Sequence, residues 1–386
     1  MSFLQKTRNY YFIILLFLAS SCEQGEFYPW SEESLDNILN HNLDKMVLVD
    51  FETDWWTWCD RLDSDTYTDE RIIEFAKNNL ISIKIDAEKG AGPEQKIKYR
   101  IGGYPTILVL DSLGNEMDRI VGYRPPEEFL KELIRIKNGE NTLSDLQAKY
   151  EYNSGDISLQ FNIAKKYIDL NVPDSAKKYL DLVQKYYSEN NQFVFQDLFD
   201  LSQLYNRVGF PKIAIDILDQ IIDLDIDSSE TAYFYGLLFK AKQDNNIEDL
   251  MEFVDLTDDT TRKKQSYWQI VRILKKNADN QSLEAELYLK AVNLYDKEYK
   301  YLPRLLNSFA RRMAELGLLL PEALEKLNIA LEFGEDIKIL DTKAEVLWKL
   351  GRVDEALEVI SKCIQGNPEH QHYQDQKEKF LNTKAI

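Results

Sequence analysis

Between Met46 and Lys137 the apolar positions change period repeatedly, and each change marks an element. "MVLVDF" is a short continuous apolar run, as in a buried strand, whereas "DERIIEFAKNN" sets Ile72, Ile73, Phe75 and Ala76 on one face of a helix. "LISIKID" alternates and predicts a second strand. The strand "TILVLD", the turn "SLGN", the strand "EMDRIVG" and a closing helix from Pro126 to Lys137 follow. Strands and helices in this order predict an α/β domain over residues 31–140, built on a small central sheet.

From about Leu143 the strand signals stop, and residues 143–386 read as a second, all-α domain. Ala164, Tyr167, Ala176, Leu180 and Val183 recur at identical spacing as Ser202, Tyr205, Ala214, Leu218 and Ile221, and again as Ala344, Leu347, Ala356, Ile360 and Cys363. Ala310, Met313, Ala323, Leu327 and Ala330 form a fourth copy with one extra residue in its turn. Small residues recur where two helices cross closely and large ones fill the space between pairs, so each unit needs a neighbour to bury its face. With Gly209 and Gly351 in the inter-helix turns and Pro368 after the last pair, these units resemble tetratricopeptide repeats. The stretch from Ser228 to Tyr301 stays helical but with a degraded signature. Cys363 falls on a repeat-core position, where a buried structural thiol is expected.

The 386 residues are enough for two domains, and 44% hydrophobic content is too high for a disordered chain. At the start, Lys6 and Arg8 precede an apolar run from Tyr10 to Leu18, then Ala19-Ser20-Ser21 and Cys22. The run is short for a bilayer span, and the layout is that of a signal peptide over residues 1–21. Small residues ending in cysteine resemble a bacterial lipoprotein signal, which implies cleavage before Cys22, acylation of Cys22, and a linker over 22–30; the alternative is ordinary cleavage with Cys22 left free. A lipid anchor implies a protein of the bacterial cell envelope, on the outer membrane facing the periplasm or at the cell surface. Loss of Lys6 and Arg8 with the signal takes the formal charge from -19 to -21. So acidic a body disfavours nucleic acid as a partner.

The candidate chemistry lies in "VDFETDWWTWCDRLDSDTYTDERI". Together with the element order, it resembles the thioredoxin superfamily over about Lys45 to Lys137, in particular an envelope branch with a Trp-Cys-x-x-Cys-like site followed by a Met or Leu, an Asp and a Thr-Phe/Tyr-Ser/Thr-Asp segment. Here that tail reads Cys59-Asp60-Arg61-Leu62-Asp63, then Thr66-Tyr67-Thr68-Asp69. "GGYPT", Gly102 to Thr106, looks like the family's loop with a cis peptide before Pro105.

Register decides what the resemblance implies. Aligned without gaps, Asp50 falls on the family's buried acid, Trp56 on the first, nucleophilic cysteine and Cys59 on the second. A rival register makes Cys59 the first cysteine and Leu62 the second, at the expense of extra residues after Asp50. In the gapless register an indole replaces the thiol that attacks disulfides, and Cys59 is a shielded thiol of raised pKa. Asp50 is then either a proton acceptor for that thiol or a vestigial buried acid. Trp56 and Trp58, with Tyr104 and Pro105, are candidates to hold an extended client segment, while Trp55 is expected to pack into the domain.

No cofactor or metal site is expected. His41, His370 and His372 are too few for one, the glycines form no phosphate loop, and the acidic runs are solvated helix faces. Two functions remain: a protein-binding or scaffolding lipoprotein whose thioredoxin-like domain is redox-silent, or a thiol-disulfide oxidoreductase or isomerase acting through Cys59 alone.

Overall fold

The structure, a computed structural model, describes residues 27–41, 44–53, 57–190, 194–224, 228–278 and 280–384. Cys22, Trp55 and Trp56 lie outside the described residues. Contacts divide the chain into two compact units, Met1–Tyr179 and Leu180–Ile386.

In the first unit a short helix α1 (Leu35–Leu39) precedes strand β1 (Met46–Glu52). Helix α2 (Thr57–Arg61) runs into a π-helical turn, Leu62–Thr66, followed by α3 (Glu70–Asn79) and β2 (Leu80–Asp86). Then come α4 (Gly92–Lys98), β3 (Thr106–Leu110), β4 (Glu116–Val121) and α5 (Pro126–Lys137). The sheet order is β2-β1-β3-β4, with β1 parallel to β2 and antiparallel to β3, and β3 antiparallel to β4. The strands and the closing helix stand where the apolar periods place them.

Alternation along β1 sorts its side chains between two cores. Val47, Val49 and Phe51 pack with Leu35, Ile38, Ile83, Leu108 and Leu110 on one face. Leu48 joins Leu62, Ile72, Ile73, Ile107, Phe129 and Leu133 on the other. Asp50 shares the parity of Leu48, so strand geometry sends a carboxyl into an apolar layer. Asp69 caps α3 by accepting from the Arg71 amide, and Asp111 accepts from the amides of Leu113 and Asn115 to hold the "SLGN" turn. In that turn Gly114 has φ +83°, and a Cβ there would meet Leu39 at 3.2 Å.

The change of pattern near Leu143 and the division into units are different boundaries. Helices α6 (Leu143–Tyr152) and α7 (Ile157–Asp169) belong to the same unit as the sheet, and the division falls within α8 (Pro173–Asn190). Ion pairing explains the attachment. Buried Asp118 on β4 accepts from Arg135 of α5 at 2.8 Å and from Lys166 of α7 at 2.5 Å. Arg119, also buried, pairs with Glu116 and donates to the carbonyls of Tyr99 and Asp169. Removing one partner from such a buried network costs far more than an exposed pair would.

The second unit continues with α9 (Phe195–Arg207), α10 (Pro211–Asp223), α11 (Ser229–Asp244), α12 (Glu248–Leu256), α13 (Thr260–Asn277) and α14 (Gln281–Asn293). Helices α15 (Leu302–Leu316), α16 (Leu320–Leu331), α17 (Ile337–Lys349), α18 (Val353–Gly366) and α19 (Gln371–Lys384) complete it. The chain is therefore a small mixed α/β sheet domain followed by an all-α array of helices. Within this unit the repeat positions from Ser202 to Ile221 and from Ala310 to Cys363 named above are buried, Cys363 included. Gly209 and Gly351 turn the chain between helices at φ +91° and +76°.

The stretch with a degraded signature joins its helices differently. Trp268 packs edge-on to Tyr288, and Tyr288 to Phe309, in place of small-residue crossings. Glu284, fully buried, takes a bidentate pair from Arg312 at 2.7 and 2.9 Å. Bulky rings and an ion pair erase the small-residue pattern without ending the array.

Candidate functional site

Asp50 is the centre of the site. It is 1% exposed, with Oδ2 accepting from the Tyr67 hydroxyl at 3.0 Å and Oδ1 buried without a hydrogen-bond partner. The sheet register places it opposite Lys84 of β2. The Lys84 ammonium donates to Glu52 at 2.5 Å and to Asp63 at 2.6 and 2.7 Å. Burial pushes the Asp50 carboxyl up to about 7; the charge of Lys84 and the Tyr67 hydrogen bond pull the other way, and Glu52 and Asp63 add to the rise. For Lys84, burial works against the charge, but Asp50, Asp63 and Glu52 together hold it above its ordinary value.

Oxygens of Asp50, Glu52 and Asp63 lie within 4.8 Å of one another, the spacing of a cation site. The cation they surround is Lys84, bonded to two of the three. The cluster is thus an ion-pair group of the protein itself.

Aromatic rings wall this cluster. Tyr28, Trp30 and Tyr67 have centroids 4.4 to 4.8 Å apart, and Lys84 lies 5.2 Å from the Trp30 ring. The Tyr28 hydroxyl hydrogen bonds to Ser82, next to Lys84 on the same face of β2. Sequence reasoning missed Lys84, Tyr28 and Trp30 as parts of the site. For Lys84 the signal was present: in "LISIKID" it shares the parity of Ser82, and pairing Met46 with Leu80 would have set it beside Asp50.

Cys59 lies in α2, 4% exposed and unbridged. Burial pushes its thiol up to about 12; a backbone hydrogen bond at Thr53 acts against this, Asp50 and Glu52 act with it, and Lys84 opposes. Leu62, three residues on, is fully buried in the π-helical turn. Trp58 is 41% exposed, and its ring lies 5.7 Å from that of Tyr123. Arg61 borders both rings, 4.3 Å from the Tyr123 centroid and 5.4 Å from that of Trp58, and is paired with Asp65 at 3.1 Å.

The Tyr104–Pro105 peptide is cis. Pro105 is buried and its carbonyl accepts from the Gly122 amide at 2.8 Å, which fixes the loop beside Gly122-Tyr123-Arg124. Tyr104 is half-buried, with Lys96 of α4 at 5.0 Å from its ring. Since β3 begins opposite Phe51 and β4 ends opposite Thr106, Trp58, Tyr123, Tyr104 and Pro105 gather at the end of the sheet where β1 finishes. Trp56, the remaining client-binding candidate, is outside the described residues.

Comparison with known proteins agrees with this geometry. Residues 32–137 match the thioredoxin-like domain family. The chain is 28% identical over 126 residues to the thioredoxin-like protein HCF164, chloroplastic, of Oryza sativa subsp. japonica, covering 32% of this chain and 44% of that protein. It is 28% identical over 102 residues to the thiol:disulfide interchange protein DsbD of Yersinia pestis (strain Pestoides F), covering 26% of this chain and 17% of that protein. It thus spans less than half the length of either relative. Among solved structures it is similar to YrrB, a tetratricopeptide-repeat protein, at 16% identity and a TM-score of 0.32, over 60% of this chain and 97% of that one. The first unit carries a thioredoxin-like domain over residues 32–137.

Among the described residues no helix is long and apolar enough to cross a membrane.

Proposed function

We propose that this chain is a protein-binding lipoprotein of the bacterial cell envelope, in which a thioredoxin-like domain that does not cycle and a helical repeat array hold protein partners. The observation that carries the reading is the state of Cys59. A thiol attacks a disulfide as thiolate. With its pKa pushed to about 12, the Cys59 thiolate fraction at neutral pH is on the order of 10⁻⁵ of the total, roughly a thousandfold below an ordinary thiol. Of the chain's three cysteines, Cys22, Cys59 and Cys363, no two stand at Cys-x-x-Cys spacing, so the sequence around Cys59 holds no second thiol for a two-cysteine cycle.

The relative named a thiol:disulfide interchange protein favours a second reading, in which Cys59 acts alone through a mixed disulfide with its partner. Insulin reduction with dithiothreitol as electron source separates the two. The chain is expected to give no rate above that of dithiothreitol alone, whereas a rate lost in Cys59→Ser would establish the redox reading.

Placement in the envelope rests on the sequence around Cys22. In cells, Cys22→Ser is expected to move the chain from the membrane to the soluble fraction. The mass of the wild-type N-terminal peptide should include acyl chains, and an unmodified Cys22 in membrane-bound protein would refute the anchor.

A further inference from the structure

Three acidic side chains of the site, Glu52, Asp63 and Asp65, are already matched. Lys84 takes Glu52 and Asp63, and Arg61 with the Tyr123 hydroxyl takes Asp65. Two cations beside the Tyr104–Pro105 loop are not matched in this way. Lys96 stands over the Tyr104 ring, and the bond of the Arg124 guanidinium among the described residues is to its neighbour's carbonyl, at 3.0 Å. Neither has a carboxylate within ion-pair distance among the described residues. The imbalance is notable in a chain with 66 acidic and 47 basic residues, where a lysine or arginine meets a carboxylate more readily than the reverse.

Both cations neighbour the loop. Lys96 lies 5.0 Å from the Tyr104 ring, and Arg124 is two residues beyond Gly122, whose amide is bonded to the Pro105 carbonyl. Exposed Trp58 borders the same surface through Tyr123. A loop end with Tyr104 packed toward one face of the sheet, Tyr123 toward the other, and a cation beside each is complementary to one kind of chain segment: extended across the loop, with acidic side chains on either side of the residue laid on it. We propose that the partner segment held at the Tyr104–Pro105 loop is acidic, its carboxylates facing Lys96 and Arg124. This rests on the loop being a partner-binding surface.

The test uses the full chain and three fluorescein-labelled peptides of one Ser/Val sequence that differ only in carrying two Glu, two Gln or two Lys. Fluorescence anisotropy at low salt is expected to show the Glu peptide binding at least about fivefold tighter than the Lys peptide, the size that two partly exposed charge pairs supply. The preference should shrink in about 0.5 M salt and fall to within about twofold in the Lys96→Gln/Arg124→Gln double variant. Equal binding of all three peptides, or a preference unchanged in the double variant, overturns the acidic partner but leaves the binding surface standing. No binding of any peptide overturns both.

Discussion

Raising the pH from about 5 to about 8 is expected to weaken the sheet-bearing unit by roughly 3 kcal/mol, and Asp50→Asn to abolish most of that loss. In the unfolded chain Asp50 ionises near its ordinary value of 3.8, while in the folded chain burial holds its proton until about 7. The folded state therefore keeps a proton that the unfolded state releases. Stability falls as pH rises between these two values, by about 1.4 kcal/mol per unit, and is level above the folded pKa. Lys84 is close enough to soften the penalty, but it is already committed to Glu52 and Asp63. An asparagine keeps the shape and an oxygen for the Tyr67 hydroxyl, and it puts its amide where Oδ1 has no partner. At about pH 8 the variant should thus be the more stable protein, with the advantage shrinking toward pH 5. Urea unfolding across this range, alongside an NMR titration of the Asp50 carboxyl carbon, checks the prediction. A flat difference or a carboxyl midpoint near 4 would contradict it.

The residues that the sequence made legible are those whose role depends on period. Strand β1 and helix α5 are each marked by an apolar pattern that has one structural reading at that length, and the repeat positions in α15 to α18 are marked by small residues at fixed spacing. Asp50 was legible for a different reason: aligned without gaps, it falls on the buried acid of the thioredoxin-like resemblance. Helix α4 escaped because Ala87 to Ile101 carries two glycines and a proline but no sustained apolar face. The π-helical turn escaped because its extra residue per turn is set by tertiary fit at Leu62 and Thr66, both buried, and leaves no local signal. Lys84, Tyr28 and Trp30 belong to the site through pairing across strands and a bridge from Trp30 to Ser82, which are long-range facts. The attachment of α7 to β4 is of the same kind, since nothing near Asp118 announces that Lys166 will reach it.

Cysteine introduced at position 56 is expected to form a disulfide with Cys59. Helix α2 starts at Thr57, so a thiol immediately before it would be next to a helix N-terminus, where the helix dipole and free amides favour the thiolate. Such a thiolate would supply a nucleophile two residues from Asp54 and three from Cys59, whose own thiol burial pushes up to about 12. The most direct measurement is the intact mass and peptide map of two variants after mild oxidation, Trp56→Cys and Leu62→Cys. Trp56→Cys is expected to become lighter by two hydrogens, with positions 56 and 59 linked, while Leu62→Cys stays as free thiols because Leu62 is sealed in the core. A ready disulfide between positions 59 and 62, with Trp56→Cys left reduced, would contradict this and make Cys59 the nucleophile of a working site.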